Sequence, residues 1–319
     1  MRILVTGGAG FIGRHLMARL QGEKHHVIGF DDLSTSPGPA GPDIDVGDVS
    51  DFREIDGCIA RGFDVLYHLA CPASPVHYQK DPIKTLETAF IGTSNVLRGV
   101  ATTLERFGGD IRVILASTSE VYGDPLVSPQ PESYLGNVPT VGDRSCYDEG
   151  KRAAESAAWA YRKQHRVDVR IARIFNTYGP GMAKGDGRLV PTLVCQALAG
   201  EPMTIKGDGS QKRSLCYVSD TVDGLVRIAS EERRDFLPVY NVGNPDERTV
   251  LQIATDIGVC VPELLRREMP FWTFHPADKD DPRQRCPDIS RIQGALGWAP
   301  IVPLAEGLRR TVDYFRRLG

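Results

Sequence analysis

A tyrosine and a lysine stand four residues apart, Tyr147 and Lys151, in the polar segment SCYDEGKR. Residues at i and i+4 share one helix face, with Cβ atoms roughly 6 Å apart, so the ammonium can hold the phenol near a negative charge. A free tyrosine has a pKa near 10, so work as a base near pH 7 requires a pKa about 3 units lower, or roughly 4 kcal/mol. The same spacing is common on surface helices. Other motifs must therefore decide whether Tyr147 is a catalytic base or the pair simply lies on an exposed helix face.

The segment VTGGAGFIG follows the first apolar run and fits G-x-G-x-x-G at Gly8, Gly10 and Gly13. Between a strand and a helix, this pattern offers backbone N–H groups and a helix N-terminus to a pyrophosphate. Asp31 closes the second predicted strand, where a carboxylate bonds the ribose hydroxyls of NAD and repels the 2′-phosphate of NADP. A tight turn without a ligand is the alternative interpretation. We expect NAD to contact Gly7, Gly8, Gly10, Phe11, Ile12, Gly13, Asp31, Asp48, Val49, Leu69, Ala70, Tyr147 and Lys151.

The segment LASTSEVYG ends a buried strand in hydroxyls and a carboxylate: Thr118, Ser119 and Glu120. Ligands of open α/β folds bind at the carboxyl ends of the strands, so these side chains should face the nicotinamide. Capping of the next helix is the competing explanation, above all for Ser119. Together with the glycine loop, this strand end favours Tyr147 and Lys151 as a proton-transfer pair that serves hydride transfer. Lys151 can also bond the nicotinamide ribose.

Short apolar runs alternate with amphipathic stretches through the first half of the chain. The predicted strands are RILVTG, HVIGFDD, DVLYHLA, VILASTS and VRIARIFN. Near-continuous apolar runs indicate strands buried on both faces, which predicts a Rossmann-like, doubly wound parallel sheet of the α/β class. We expect an NAD-binding domain at 1–175, with a return of the chain at about 214–245, and a smaller substrate-binding lobe at 176–319.

The composition is that of an ordinary globular protein, with 41% hydrophobic and 25% charged residues. A net charge of −3 gives no electrostatic reason to expect nucleic acid or an anionic membrane as partner. Seven cysteines in no metal-ligand spacing favour a reducing cytoplasm and predict no metal site. No apolar run approaches the roughly 18 residues of a membrane span, and no signal peptide is expected.

Several motifs resemble the extended short-chain dehydrogenase/reductases, and more narrowly the UDP-glucuronate decarboxylases. The resemblance covers nearly all 319 residues and rests on TGGAGFIG, HLACPASPVHYQKDPIKT, STSEVYGDP, RSCYDEGKRAAE, ARIFNTYGP, GDGSQKRSLCYVSD and DDPRQRCPDIS. It implies oxidation of a nucleotide-sugar hydroxyl by tightly held NAD⁺, which is recycled. It also implies a homodimer formed through a helical bundle.

The resemblance assigns roles to individual residues. Tyr147 takes the proton from the sugar O4, with Thr118 on the same oxygen, while Glu120 and Arg285 surround C5 and the departing carboxylate. The 4-keto group then makes the carboxylate that of a β-keto acid, which loses CO₂. Substrate-binding candidates are Pro72, Ser119, Asn176, Arg188, Arg213, Tyr217 and Arg285; the arginines suit a diphosphate because guanidinium matches two phosphate oxygens.

Three positions depart from the decarboxylase pattern: Gly181 stands in place of Arg, and Pro191 and Thr192 in place of Ser and Asn. These departures leave alternatives open. A 4-epimerase acting on UDP-glucuronate or another UDP-sugar shares every step except loss of CO₂. A 4,6-dehydratase is disfavoured because Ser119 and Glu120, rather than Asp and Glu, follow Thr118. A catalytically silent NAD-binding scaffold is disfavoured by the intact Thr118, Tyr147 and Lys151.

Overall fold

The computed structural model describes residues 1–36, 38–232, 238–266, 271–276 and 284–319. The strands are β1 (Arg2–Thr6), β2 (His26–Asp31), β3 (Ile44–Val46), β4 (Val65–His68), β5 (Arg112–Thr118), β6 (Asp168–Ile174), β7 (Thr177–Tyr178), β8 (Met203–Lys206), β9 (Lys212–Ser214), β10 (Cys216–Tyr217), β11 (Val239–Val242), β12 (Glu247–Thr249), β13 (Trp272–His275) and β14 (Gln284–Arg285).

The α-helices are α1 (Phe11–Gly22), α2 (Phe52–Ile59), α3 (Pro75–Tyr78), α4 (Pro82–Glu87), α5 (Thr93–Phe107), α6 (Ser145–His165), α7 (Leu189–Ala199), α8 (Val218–Ser230), α9 (Val250–Val259), α10 (Ser290–Leu296) and α11 (Leu304–Arg317). A π-helical turn, Thr88–Gly92, joins α4 to α5. Short 3₁₀ helices span Ser119–Tyr122 and Pro262–Arg266.

A seven-stranded parallel sheet in the order β11-β6-β5-β4-β1-β2-β3 forms the centre of the molecule. Successive side chains of a strand face opposite sides of a sheet. Ile3 and Val5 of β1 accordingly enter one core, with α1 and α8, whereas Leu4 enters the other, with α2, α5 and α6. The predicted α/β class with a doubly wound parallel sheet is confirmed.

All five strands predicted from the first half of the chain are present, as β1, β2, β4, β5 and β6. The last strand to join the sheet, β11, pairs in parallel with β6 and follows α8, which packs against α1. Both elements belong to the 214–245 segment in which the return of the chain was expected. The exact domain boundaries stay a prediction.

Small sheets from the second half lie beside the central one. Strand β9 pairs antiparallel with β12 and parallel with β14, and β8 pairs with β13. Because β9 and β14 pair, Arg213 and Arg285 are neighbours on adjacent strands although they lie 72 positions apart in the sequence. The first four residues of the predicted DDPRQRCPDIS motif, 280–283, lie outside the described part of the chain.

Candidate active site

A cleft of about 820 Å³ opens at the carboxyl ends of the central strands, between the sheet and the second half of the chain. Most residues predicted for the site line it. These are Gly7, Gly10, Phe11, Ile12, Gly13, Asp31, Asp48, Val49, Leu69, Ala70, Pro72, Thr118, Ser119, Glu120, Tyr147, Lys151, Asn176, Arg188, Arg213 and Arg285. Gly8 and Tyr217 are not among the described lining residues.

The glycine loop packs too closely for side chains. Gly7 has φ +71° and follows β1, and a Cβ on Gly13 would lie 2.1 Å from the Gly7 carbonyl oxygen. The N-cap of α1 is Gly10, which offers no side-chain acceptor to the first-turn N–H groups. The helix N-terminus is thus left available to an anion at the wall of the cleft, and the site fits the pyrophosphate of NAD. Gly8 lies beneath the loop, where a Cβ would meet Met17 Sδ at 2.8 Å.

Replacing Gly13 by Ala should weaken NAD⁺ binding at least tenfold and lower the melting temperature, because the added methyl group forces the loop off the helix N-terminus. Calorimetric titration with NAD⁺ and thermal denaturation measure the two effects. Gly22→Ala at the other end of α1 is the matched control: a Cβ there meets no atom within 4 Å. It should leave both quantities nearly unchanged, and equal NAD⁺ affinities for the two variants would contradict the prediction.

Two carboxylates, Asp31 and Asp48, line the cleft at the ends of β2 and β3. Asp31 is buried at the end of β2; its Oδ2 accepts from the Ala9 amide at 3.0 Å and its Oδ1 from the Leu33 amide at 2.8 Å. The carboxylate therefore fixes the glycine loop as well as standing where ribose hydroxyls are expected. Asp48 forms an ion pair with Lys84; burial disfavours its charge, but that contact holds its pKa below the ordinary value.

Tyr147 and Lys151 are both buried on α6, one turn apart, beside the end of β5. The Tyr147 side chain lies beside Thr118 and stacks on Tyr78, with ring centroids 5.3 Å apart and planes within 6°. Tyr78, on α3, was not predicted for the site. Its contact with Tyr147 joins residues 69 positions apart, a relation that no local pattern encodes.

The Lys151 ammonium donates to the Ala116 carbonyl oxygen at 2.9 Å. Burial raises the pKa of the Tyr147 phenol well above its ordinary value, and the Thr118 contact acts in the opposite direction. Lys151 does not by itself offset the effect of burial on this pKa. The desolvated phenol needs a further positive charge, such as the nicotinamide ring of NAD⁺.

Glu120 is buried in the 3₁₀ turn that follows β5, and its carboxylate forms ion pairs with Arg285 of β14 and with Arg144 at the start of α6. Burial disfavours the charged form, but the two guanidinium groups outweigh it and hold the pKa of Glu120 below its ordinary value. Arg144 also lines the cleft and was missed by the sequence analysis. Its only sequence signal is its position three residues before Tyr147.

The substrate-side wall contains the remaining candidates. Arg188 pairs with Asp186, with 2.7 Å between Arg188 Nη2 and Asp186 Oδ2, and Arg213 is buried in β9. Asn176 and Ser119 reach the cleft from the ends of β6 and β5, and Pro72 from the loop after β4. Tyr217 lies instead behind this wall. Its ring packs edge-on against Tyr178, with centroids 5.7 Å apart, so a uridine contact is not supported by its position.

The three positions that depart from the decarboxylase pattern also line the cleft. Gly181 has φ +90°, and a Cβ there would lie 3.4 Å from His15 Nε2. Pro191 lies in the first turn of α7, where its missing N–H removes no intrahelical bond. The departures therefore alter the substrate wall and leave the Thr118, Tyr147 and Lys151 set in place.

A profile of the NAD dependent epimerase/dehydratase family matches residues 3–243. UDP-glucuronic acid decarboxylase 3 of Arabidopsis thaliana is 47% identical over 325 residues, which cover 99% of this chain and 89% of the relative. UDP-glucuronic acid decarboxylase 1 of Danio rerio is 46% identical over 320 residues, or 99% and 73% of the two chains.

Solved structures of 4-epimerases share the fold of this chain. UDP-glucuronic acid 4-epimerase from Bacillus cereus, in complex with UDP-glucuronic acid and NAD, superposes with a TM-score of 0.85 at 26% identity, and all of each chain is covered. UDP-glucose 4-epimerase from Thermotoga maritima, with UDP-glucose, gives 0.89 at 28% identity over 100% of this chain and 99% of the other. With its glycine loop, its Tyr147–Lys151 pair and this coverage, the chain belongs to the NAD dependent epimerase/dehydratase family.

Proposed function

We propose that the protein converts UDP-glucuronate to UDP-xylose and CO₂ through a 4-keto intermediate, with NAD⁺ as a recycled cofactor. The observation that carries this proposal is Glu120, held between Arg144 and Arg285 in the same cleft as Thr118 and Tyr147. Guanidinium groups in the cleft suit a sugar that carries a carboxylate, and Glu120 suits the role of a proton donor to it. The decarboxylase relatives match along the whole chain.

Oxidation of the sugar at C4 is assigned to the α6 and β5 groups. NAD⁺, when bound, would accept the hydride from C4 and, as NADH, return it. Tyr147 accepts the O4 proton, and Thr118, beside that phenol, orients the same oxygen. Lys151, bonded to the strand backbone at Ala116, is assigned to hold the nicotinamide ribose and to supply positive charge one helical turn from the phenol.

Loss of CO₂ is assigned to the Glu120 cluster. In the 4-keto sugar the bond from C5 to the carboxyl carbon breaks, and its electron pair enters an enolate conjugated with the C4 carbonyl. Glu120 delivers a proton to C5, directly or through a water molecule, and Arg285 orients the departing carboxylate. Tyr147 returns its proton to O4 as C4 is reduced. Arg188, Arg213, Asn176, Ser119 and Pro72 are assigned to the nucleotide sugar.

The test is an NMR assay of UDP-glucuronate with the NAD⁺-loaded protein in D₂O. We expect CO₂ release and UDP-xylose with one deuterium at C5. A 4-epimerase is the second candidate, because Gly181, Pro191 and Thr192 line the cleft and a UDP-glucuronic acid 4-epimerase is a structural neighbour. UDP-galacturonate with all six carbons kept and no deuterium at C5 would replace the decarboxylase assignment by the epimerase one.

The protein should bind NAD⁺ at least about tenfold more tightly than NADP⁺, because a carboxylate repels the 2′-phosphate of NADP⁺. A repulsion of roughly 1.4 kcal/mol is enough for a tenfold ratio of affinities. The source of the repulsion is Asp31, buried at the ribose end of the cleft. Calorimetric titrations with both cofactors measure the ratio. Asp31→Asn should narrow it, while Asp32→Asn should change it less, and equal affinities for the wild-type protein would contradict the role of Asp31.

We also propose a homodimer and a cytoplasmic location. The candidate interface consists of exposed apolar side chains on α4, the π-helical turn and α6: Leu86, Phe90, Ile91 and Trp159. All seven cysteines are free thiols, as a reducing compartment would keep them. Among the described residues no helix combines the length and hydropathy needed to cross a membrane.

A further inference from the structure

Two carboxylates and two guanidinium groups form a buried cluster next to Tyr147. Glu120 contacts both Arg144 and Arg285, and Arg144 Nε lies 3.8 Å from Asp148 Oδ2. The four side chains are at most 20% exposed. Asp148 Oδ1 is buried without a hydrogen-bond partner.

Both guanidinium groups of the cluster are engaged by the Glu120 carboxylate before a substrate arrives. The carboxylate of a uronate that enters this cleft competes with Glu120 for these two donors. A buried charge without a partner is costly, and groups in that position change their protonation state instead. A Glu120 carboxylate that has lost both guanidinium partners is in that position.

We propose, on the basis of the function assigned above, that the uronate carboxylate displaces Glu120 from Arg144 and Arg285, and that Glu120 takes up a proton from solvent in the same event. Uronate binding would thus protonate Glu120, which then donates the proton that C5 needs after CO₂ has left. A neutral sugar at the same position would leave the ion pairs intact and Glu120 ionised.

The proton belongs on Glu120 because only Glu120 loses both of its partners in the exchange. Burial is the largest influence on its pKa and raises it, so removal of the guanidinium charges reverses the net direction. Burial, together with the charge of Glu120, raises the pKa of Asp148 to about 7. Asp148 is thus the alternative acceptor of the proton. The other charged or titratable groups around Glu120 are Arg144, Arg285, Tyr78 and Tyr147.

Calorimetric titration of NAD⁺-loaded Tyr147→Phe protein tests the exchange, because this variant should slow turnover by about 100-fold or more and removes the phenol from the titration. UDP-glucuronate and UDP-glucose are each titrated at about pH 6 in buffers of different ionisation enthalpy. We expect about one more proton taken up per uronate than per glucose. Between the free and bound pKa values of Glu120, the affinity for UDP-glucuronate should fall about tenfold per pH unit, and that for UDP-glucose should stay level.

Second substitutions in the same background identify the group. Glu120→Gln should still bind UDP-glucuronate but without the extra proton, whereas Asp148→Asn should keep the uptake. No difference between the two ligands, or uptake lost with Asp148→Asn and kept with Glu120→Gln, would overturn the exchange. CO₂ release by the wild-type protein in that case would leave the proposed function standing. Absence of both CO₂ release and uronate binding would overturn the proposed function and the exchange together.

Discussion

Tyr147→Phe should reduce the turnover of UDP-glucuronate by about 100- to 10,000-fold, the range that a positioned general base contributes. The substitution removes only the proton acceptor. The ring keeps its stacking on Tyr78, since that contact is made by the parallel ring faces 5.3 Å apart at their centroids. NAD⁺ affinity should therefore stay within about threefold of the wild-type value. Steady-state CO₂ release and calorimetric titration with NAD⁺ measure the two quantities.

Tyr161→Phe is the matched control, because it makes the same chemical change on the same helix, and Tyr161 lies against His165 away from the cleft. Its turnover should be close to wild type. A Tyr147→Phe enzyme that keeps a tenth of the wild-type rate would show that another group takes the O4 proton. Joint loss of turnover and NAD⁺ binding would indicate damage to the fold instead.

Five strands of the central sheet, β1, β2, β4, β5 and β6, could be predicted because each is a local apolar run, and the glycine loop could be predicted because its spacing is local too. Pairings between strands that lie far apart in the sequence could not be predicted. Strand β11 is only four residues long and reaches its place beside β6 through contacts made late in the chain. Likewise β3, with three residues and no fully buried side chain, has no apolar run to mark it.

The same distinction applies to the site. Thr118, Glu120, Tyr147 and Lys151 stand in motifs whose strand or helix context fixes the direction of the side chain. The position of Arg285 beside Glu120 depends on the pairing of β14 with β9 and was expected only from the family resemblance. Arg144 and Tyr78 were missed because their partners across the cleft are set by packing. Arg188 has its guanidinium bonded to Asp186, two residues away, so binding a phosphate would require it to share or exchange that partner.

Glu120→Gln should lower the turnover number at least about 100-fold, because the amide cannot deliver the proton that C5 requires. The Michaelis constant for UDP-glucuronate should stay level or fall. An amide does not compete with the uronate carboxylate for Arg144 and Arg285, which in the wild-type cleft are both engaged by the Glu120 carboxylate. C4 oxidation depends on Thr118 and Tyr147 and should suffer less, so a 4-keto sugar should be released. Steady-state kinetics and NMR of the sugar products in D₂O measure all three effects.

Two further variants separate an acid from a merely structural carboxylate. Glu120→Asp keeps an ionisable group in the cluster and should recover part of the turnover, whereas a loss caused by disrupted packing would be at least as severe with the shorter side chain. Glu149→Gln changes an acid of α6 that pairs with Arg152 at 3.4 Å, and it should leave turnover near wild type. If Glu120→Gln raises the Michaelis constant and spares the turnover number, Glu120 binds the substrate without protonating C5. The proton donor would then have to be another group of the cluster, and Asp148, buried beside Tyr147 with a pKa raised to about 7, would be the next to substitute.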